Sequence, residues 1–262
     1  MVGEHKSTTL EYHLTSYRVS LNGCGQSDAT TAATCRVNAS VAKENSIWTM
    51  IDNTFASPVN QNPIDHGIDI VIHSATKYLG GHSDISAGAV VSTEENINLI
   101  LNSAKNFGGN LSDYTVWLLE RSMKTLFIRV REQTNNAKLL AKMLDENSNI
   151  SKVYYPGLES HPSHEIAKNQ MKDFGAMMSF DLNENIDVYK FLKNLNVVKP
   201  GMSLAGVETT VNFPMKTSHG LLTQDERDNQ GIGNKLIRLS VGIESFEDIY
   251  NDLDQAIKNS SQ

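Results

Sequence analysis

Apolar and polar positions along this chain follow two rhythms, short apolar runs and longer stretches of helical spacing, and they alternate from about residue 39 onward. Residues 40–45 read as the end of a helix, 47–51 as a strand and 52–58 as the loop leaving it. Residues 68–73 predict the next strand, 87–91 another, and 94–103 a helix. Helical spacing then runs from 113 to 146, long enough for two helices or one bent helix. After a boundary predicted near residue 148, residues 153–158 read as a strand and turn, 162–172 as a helix, 176–182 as an alternating strand and 188–195 as a helix. Residues 236–241 form a strand pattern, and 246–257 an amphipathic closing helix. Strand–helix alternation in both halves predicts α/β organisation. Residues 1–36 differ: they are rich in Ser, Thr, Asn and Gly, show no sustained period, and read as an unmatched, disordered leader with a low-complexity stretch at 28–34.

Composition narrows the function classes. The chain has 262 residues, a net charge of −7 and a pI near 5.6. That balance argues against nucleic-acid binding, which leaves a basic footprint. No apolar run approaches the ~18 residues needed to span a bilayer, and no basic-then-apolar signal opens the chain. Cys24 and Cys35 make neither a disulfide framework nor a metal spacing. The expected compartment is the cytoplasm, with no membrane or nucleic-acid partner.

The chemistry concentrates where two predicted strands end. The strand at 68–73 runs into Ser74-Ala75-Thr76-Lys77, then Gly80-Gly81. A lysine after a strand is most often solvated. Here a buried strand end favours a neutral amine, and glycines let backbone approach a ligand closely. Such a lysine suits a Schiff base with an aldehyde cofactor, whose phosphate Ser74 and Thr76 can reach. The preceding strand ends in Asp52, a turn residue on the bland reading. In open α/β sheets, however, ligands bind beyond the carboxyl ends of strands, and a carboxylate there can keep a pyridinium nitrogen protonated. His161, His164 and Glu165 are spaced too closely for a helix-borne metal pair, so with Pro162 they read as a helix start. The Met-rich stretch 171–178 reads as core, and Asp248, Asp252 and Asp254 as a solvated helix face.

Asp52-Asn53-Thr54-Phe55-Ala56-Ser57-Pro58 followed by His73-Ser74-Ala75-Thr76-Lys77-Tyr78-Leu79-Gly80-Gly81-His82-Ser83-Asp84 resembles the signature of the Cys/Met metabolism pyridoxal-phosphate enzymes. The likeness extends over roughly residues 39–258, through Tyr155-Pro156-Gly157-Leu158, Phe174-Gly175-Ala176-Met177, Ser203-Leu204-Ala205-Gly206 (Ala205 stands where glycine is usual) and Leu236-Ile237-Arg238-Leu239-Ser240. The resemblance implies fold type I of pyridoxal-phosphate-dependent transferases, the aspartate-aminotransferase-like α/β fold. An incomplete large domain at 37–148 would precede a small α+β domain at 149–262. It also implies pyridoxal 5'-phosphate as cofactor and Lys77 as the lysine that holds it. Asp52 would partner the pyridinium, Ser74 and Thr76 the phosphate, and Arg238 and Ser203 the substrate. A guanidinium fork suits an α-carboxylate because it binds in bidentate fashion.

The implied reaction is carbon–sulfur lysis or synthesis in trans-sulfuration, of the cystathionine γ-synthase or γ-lyase type. Methionine γ-lyase, a homoserine-ester sulfhydrylase, another fold-type-I enzyme such as an aminotransferase, and an inactive fragment are the alternatives. The partners implied are a small amino-acid substrate and further copies of the chain, a homotetramer in intact family members. Family members carry a longer segment before the Asp-Asn-Thr-Phe stretch, with a glycine-rich phosphate turn and a ring-stacking tyrosine. Residues 1–36 do not match it, and Tyr17-Arg18 stands without supporting context. Impaired activity is therefore expected.

Overall fold

The structure, a computed structural model, describes residues 19–23 and 35–261. The first sheet contains β1 (Val19–Gly23), β2 (Trp48–Asp52), β3 (Ile70–Ser74) and β4 (Gly88–Val91), in that order. The first three strands are parallel, and β4 is antiparallel to β3. Helix α1 (Cys35–Glu44) lies between β1 and β2 in the chain and packs on the sheet, where Cys35, Ala39, Ile51, Ile68 and Val71 form a small core. Strand β1 and the first two residues of α1, Cys35 and Arg36, fall inside the segment read as a leader. A five-residue strand containing Ser, Asn and Gly carries almost no pattern of its own; its place comes from pairing with β2, a non-local contact. Cys24, Tyr17-Arg18 and the 28–34 stretch lie outside the described residues.

Parallel strands β2 and β3 end side by side, and a short helix α2 (Ser57–Asn60) and a 3-10 turn at Pro63–His66 fill the crossover between them. Three helices follow: α3 (Glu94–Phe107), α4 (Asp113–Met123) and α5 (Leu126–Asp145). Thr93 caps α3 and Ser112 caps α4, each accepting a backbone N–H of the first turn. The long helical stretch is thus two helices, interrupted at Lys124 and Thr125. They differ sharply in burial. No α3 residue is buried and only Ser122 of α4 is, whereas α5 buries Leu126, Val130, Ala137, Leu140 and Leu144 along one stripe. Phe107, Tyr114, Trp117 and Ile128 are more than half exposed.

The second sheet holds β5 (Ile150–Tyr154), β6 (Met177–Leu182), β9 (Leu236–Ser240), β8 (Thr210–Asn212) and β7 (Lys199–Pro200), in that spatial order. It is antiparallel except for the β7–β8 pair. Helices α6 (His164–Gln170), α7 (Val188–Asn194), α8 (Gln224–Asn229) and α9 (Phe246–Lys258) complete the chain. Helix α9 buries Ile249, Leu253, Ala256 and Ile257, the spacing of one helical face. The reading of Asp248, Asp252 and Asp254 as a solvated face fails at Asp252. That carboxylate is buried and accepts the N–H groups of Asn196, Val197 and Val198. It closes the loop that leads into β7, a contact across more than fifty residues that periodicity does not reveal.

His161 and His164 serve local structure, as the helix-start reading expects. His161 Nδ1 accepts from Ser163 N at 3.1 Å, and His164 Nδ1 bonds the Pro156 carbonyl at 2.8 Å. Among the described residues no His, Cys, Asp and Glu cluster could hold a metal ion, and no helix is long and apolar enough to cross a membrane.

Candidate functional site

The carboxyl ends of β2 and β3 are stitched together by their own loops. Asn53 N donates to Ile72 O at 2.9 Å. Thr54 does two things: its N–H donates to Asp52 Oδ1 at 2.9 Å, and its hydroxyl oxygen accepts Ser74 N at 2.8 Å. The first contact is an Asx turn that orients the Asp52 carboxylate. The second fixes the start of the lysine loop relative to that carboxylate. Asp52 is half-buried, and one of its oxygens remains for a partner outside this turn. The sequence placed Thr54 in a loop and gave it no role; only the spatial pairing of two strand ends exposes it.

From Ser74 the chain coils tightly. Lys77 N donates to Ser74 O at 3.0 Å, Gly80 N to Ala75 O at 2.8 Å and Gly81 N to Lys77 O at 2.6 Å. Gly81 has φ +70, where a side chain is strained, and an added Cβ would lie 1.8 Å from Arg129 Nη1. The coil leaves Lys77 half-buried. Burial, and then the positive charge of Arg238, hold the Lys77 amine below its ordinary range. Both effects favour the neutral amine, the form that attacks a carbonyl.

Ser74 is half-buried, its N–H donating to Thr54 Oγ1 and its carbonyl accepting Lys77 N. Thr76 is more occupied. Its hydroxyl accepts Ala87 N at 2.9 Å and lies 3.3 Å from Ala87 O, so donating to a phosphate means giving up that longer contact. His73 is buried on the other face of β3, with Nδ1 unpartnered. Burial lowers its pKa and the Asp52 charge raises it, with burial prevailing.

The second half of the site comes from β9 and the loop before β8. Arg238 stands in register with Ser179 on one side and Asn212 on the other, and its Nη2 donates to Met202 O at 3.1 Å. Ser203, next to that carbonyl, is exposed and accepts Thr210 Oγ1 on its own carbonyl at 3.1 Å. Ala205 has φ +66, and its N–H donates to Ser240 Oγ at 2.7 Å. A Cβ on Gly206 would meet Ser83 Oγ at 3.0 Å, so the tail of the lysine loop touches this segment. Among the described residues other than glycine, left-handed backbone occurs at Ser46, Ser57, Ser83 and Ala205, and the segments of Ser83 and Ala205 touch at Gly206; such strain persists where surrounding structure imposes it. The structure therefore brings Asp52, Ser74, Thr76 and Lys77 to two neighbouring strand ends, with Arg238 near enough for its charge to act on Lys77. For Ser203 it shows proximity to the Arg238 contact.

These residues fit pyridoxal phosphate by their chemistry. A partly desolvated amine, a carboxylate at the end of the neighbouring strand, a strand-end hydroxyl and a guanidinium whose charge reaches the amine are the donor set that the cofactor and an amino-acid substrate require. Similarity to known proteins agrees. The sequence profile described as Cys/Met metabolism PLP-dependent enzyme matches residues 33–258. The chain is 43% identical over 221 residues to the cystathionine β-lyase of Lactococcus lactis subsp. cremoris strain MG1363, covering 84% of this chain and 58% of that protein. It superposes with a TM-score of 0.88 on the cystathionine γ-lyase of Lactobacillus plantarum complexed with L-serine, at 36% identity, covering 92% of this chain and 63% of that one. The same TM-score, 0.88, relates it to the cystathionine γ-synthase of Xanthomonas oryzae pv. oryzae in complex with cystathionine, at 37% identity and with 92% and 63% of the two chains covered. The chain thus spans less than two thirds of each of these proteins.

Proposed function

Because this chain belongs to the Cys/Met metabolism PLP-dependent enzymes, we propose that it carries the lysine half of a carbon–sulfur lyase or synthase of trans-sulfuration acting on cystathionine. The observation that supports the reading is that β2 and β3 end side by side, at Asp52 and at Ser74, where the Lys77 loop begins, with the Lys77 amine held toward the neutral form by burial and then by the charge of Arg238. The resemblance to a cystathionine β-lyase, a γ-lyase and a γ-synthase supports the substrate class.

The chain's own residues divide the work. Lys77 Nζ would hold the cofactor and, once the substrate's amino group has displaced it, would as a free amine take the proton from the substrate Cα and return it. Asp52 would keep the ring nitrogen protonated. The hydroxyls of Ser74 and Thr76 would donate to the phosphate. Arg238 binds the substrate α-carboxylate through its fork and so presents Cα to the lysine. When bound, pyridoxal phosphate supplies the electron sink for the charge left at Cα. We further propose that the working form is a homo-oligomer.

The test is product analysis with purified chain, pyridoxal phosphate and L-cystathionine. Cleavage on the γ side releases cysteine, 2-oxobutanoate and ammonia; cleavage on the β side releases homocysteine, pyruvate and ammonia. Either set of products, lost in Lys77→Ala, supports the proposal. Exchange of the amino group alone, with the thioether intact, would mean an aminotransferase, and no turnover would mean that this chain is insufficient by itself.

A further inference from the structure

Helix α5 carries three polar side chains on one face, at positions 129, 133 and 136, and each is aimed at a different part of the site. Arg129 is buried. It donates to Tyr78 O at 2.9 Å, Leu79 O at 3.4 Å and Ser122 O at 3.0 Å, and its Nε to Thr125 Oγ1 at 3.1 Å. Tyr78 and Leu79 are the two residues after Lys77, and Gly81 lies flat against the guanidinium. One turn on, Gln133 Nε2 donates to Gly206 O at 2.7 Å and Val241 O at 3.1 Å. Asn136 Nδ2 then donates to Gly242 O at 3.2 Å and Glu244 O at 2.9 Å. One rigid helix thereby grips the lysine loop at one end and the Ser203–Gly206 segment and the end of the Arg238 strand at the other. The span from 129 to 136 is about 10 Å along the axis.

Stability alone does not account for this face. No carboxylate is among the bonded partners of Arg129, and burial pushes its pKa down. An apolar side chain of similar volume usually fills such a site at lower cost. Gln133 is completely buried and its Oε1 has no partner, a further cost. What the three donors provide is geometry: each binds main-chain carbonyls, so each fixes backbone and not merely a neighbouring side chain.

We propose that Arg129, Gln133 and Asn136 are positioning residues that set the distance between Lys77 and the carboxylate-binding segment, an inference that rests on the functional reading above. The consequence is a division along α5. Loss of Arg129 disturbs the amine, and loss of Gln133 disturbs the grip on the substrate carboxylate.

The experiment compares wild type with Arg129→Met, Arg129→Lys and Gln133→Leu. Amide hydrogen exchange is measured on the chain alone. With pyridoxal phosphate added, the visible band of the lysine-bound cofactor and the L-cystathionine concentration that half-saturates its change are measured. Arg129→Met is expected to speed exchange across residues 77–81 and in the turn at 122–125, with no change at 203–206 or 241–242, and to weaken the band. Arg129→Lys should resemble it, because the fork and not the charge is required. Gln133→Leu should speed exchange at 203–206 and 241–242 only. It should leave the band intact and raise the half-saturating concentration by about tenfold. Should the Arg129 variants fail to fold, Gln133→Leu and Asn136→Leu decide alone. Equal movement of both halves in every variant, or no local change in exchange, overturns the proposal. A wild-type chain that never develops the band overturns the functional reading instead, and the exchange pattern still decides the positioning role.

Discussion

Burial first, and then the positive charge of Arg238 on β9, hold the Lys77 amine in the loop after β3 below its ordinary pKa. Two cations brought together in this way are unfavourable unless an anion joins them. The α-carboxylate of an amino acid is such an anion. Arg238→Leu should therefore move the titration of Lys77 to higher pH, because a repelling charge is gone. Acetylation of Lys77 followed by mass spectrometry across pH should show the half-maximal rate shifting upward. A shift downward, or none, would mean that the two charges do not communicate.

Ala205 sits in left-handed backbone at φ +66 with its N–H committed to Ser240 Oγ. That conformation costs a non-glycine residue of order 1 kcal/mol or more. Glycine relieves it at the expense of a more flexible unfolded chain. Ala205→Gly should stabilise the chain by up to about 1 kcal/mol, read from denaturant unfolding. A loss of stability would show that the methyl group, which is fully buried, contributes more by packing than its backbone costs.

Burial alone pushes the Asp252 carboxyl upward. The N–H groups of Val198, Asn196 and Val197 outweigh that push and hold it below its ordinary value. A carboxyl with a depressed folded pKa stabilises at pH above its unfolded value, and that contribution fades as pH falls through the folded one. Asp252→Ala leaves three N–H groups without their acceptor and should cost at least about 2 kcal/mol near neutrality. The difference from wild type should shrink in acid. Equal stability at pH 7 would remove Asp252 from the list of structural anchors.

His73 titrates in the same direction for another reason. Burial holds its pKa below 6.5, against the smaller pull of Asp52. The unfolded chain therefore binds protons that the folded chain refuses, so stability falls as pH drops below the unfolded value. Replacing His73 with Gln should flatten the stability profile below about pH 6.5. An unchanged slope would assign acid sensitivity in that window to other groups.

Much of this was legible in the chain before folding. The Asp52 and Ser74–Lys77 strand ends announce themselves because apolar runs stop at residues with distinct chemistry, and a parallel pair of strands must place those ends together. Ala205 stood out against the usual glycine, and the structure gives the reason such a position favours glycine. What stayed hidden depends on contacts between distant parts of the sequence. Thr54 gains its role by bridging Asp52 and Ser74; Arg129 looks like any polar residue on a helix until the lysine loop is laid against it. Asp252, three residues after Ile249 and four before Ala256, lies at the edge of the buried stripe of its helix, and only the loop at 196–198, folded over it, gives its carboxylate a role. Strands β1, β7 and β8 are too short or too polar to declare a period, and only pairing defines them.

The central claim is that Lys77 is the residue that takes the cofactor. Incubating the purified chain with pyridoxal phosphate, reducing with borohydride and mapping the modified peptide by mass spectrometry tests it most directly. The account predicts a pyridoxyl group fixed on Lys77, absent in Lys77→Ala and diminished in Asp52→Ala. A label scattered over exposed lysines such as Lys124 and Lys168, with Lys77 unmodified, would contradict it.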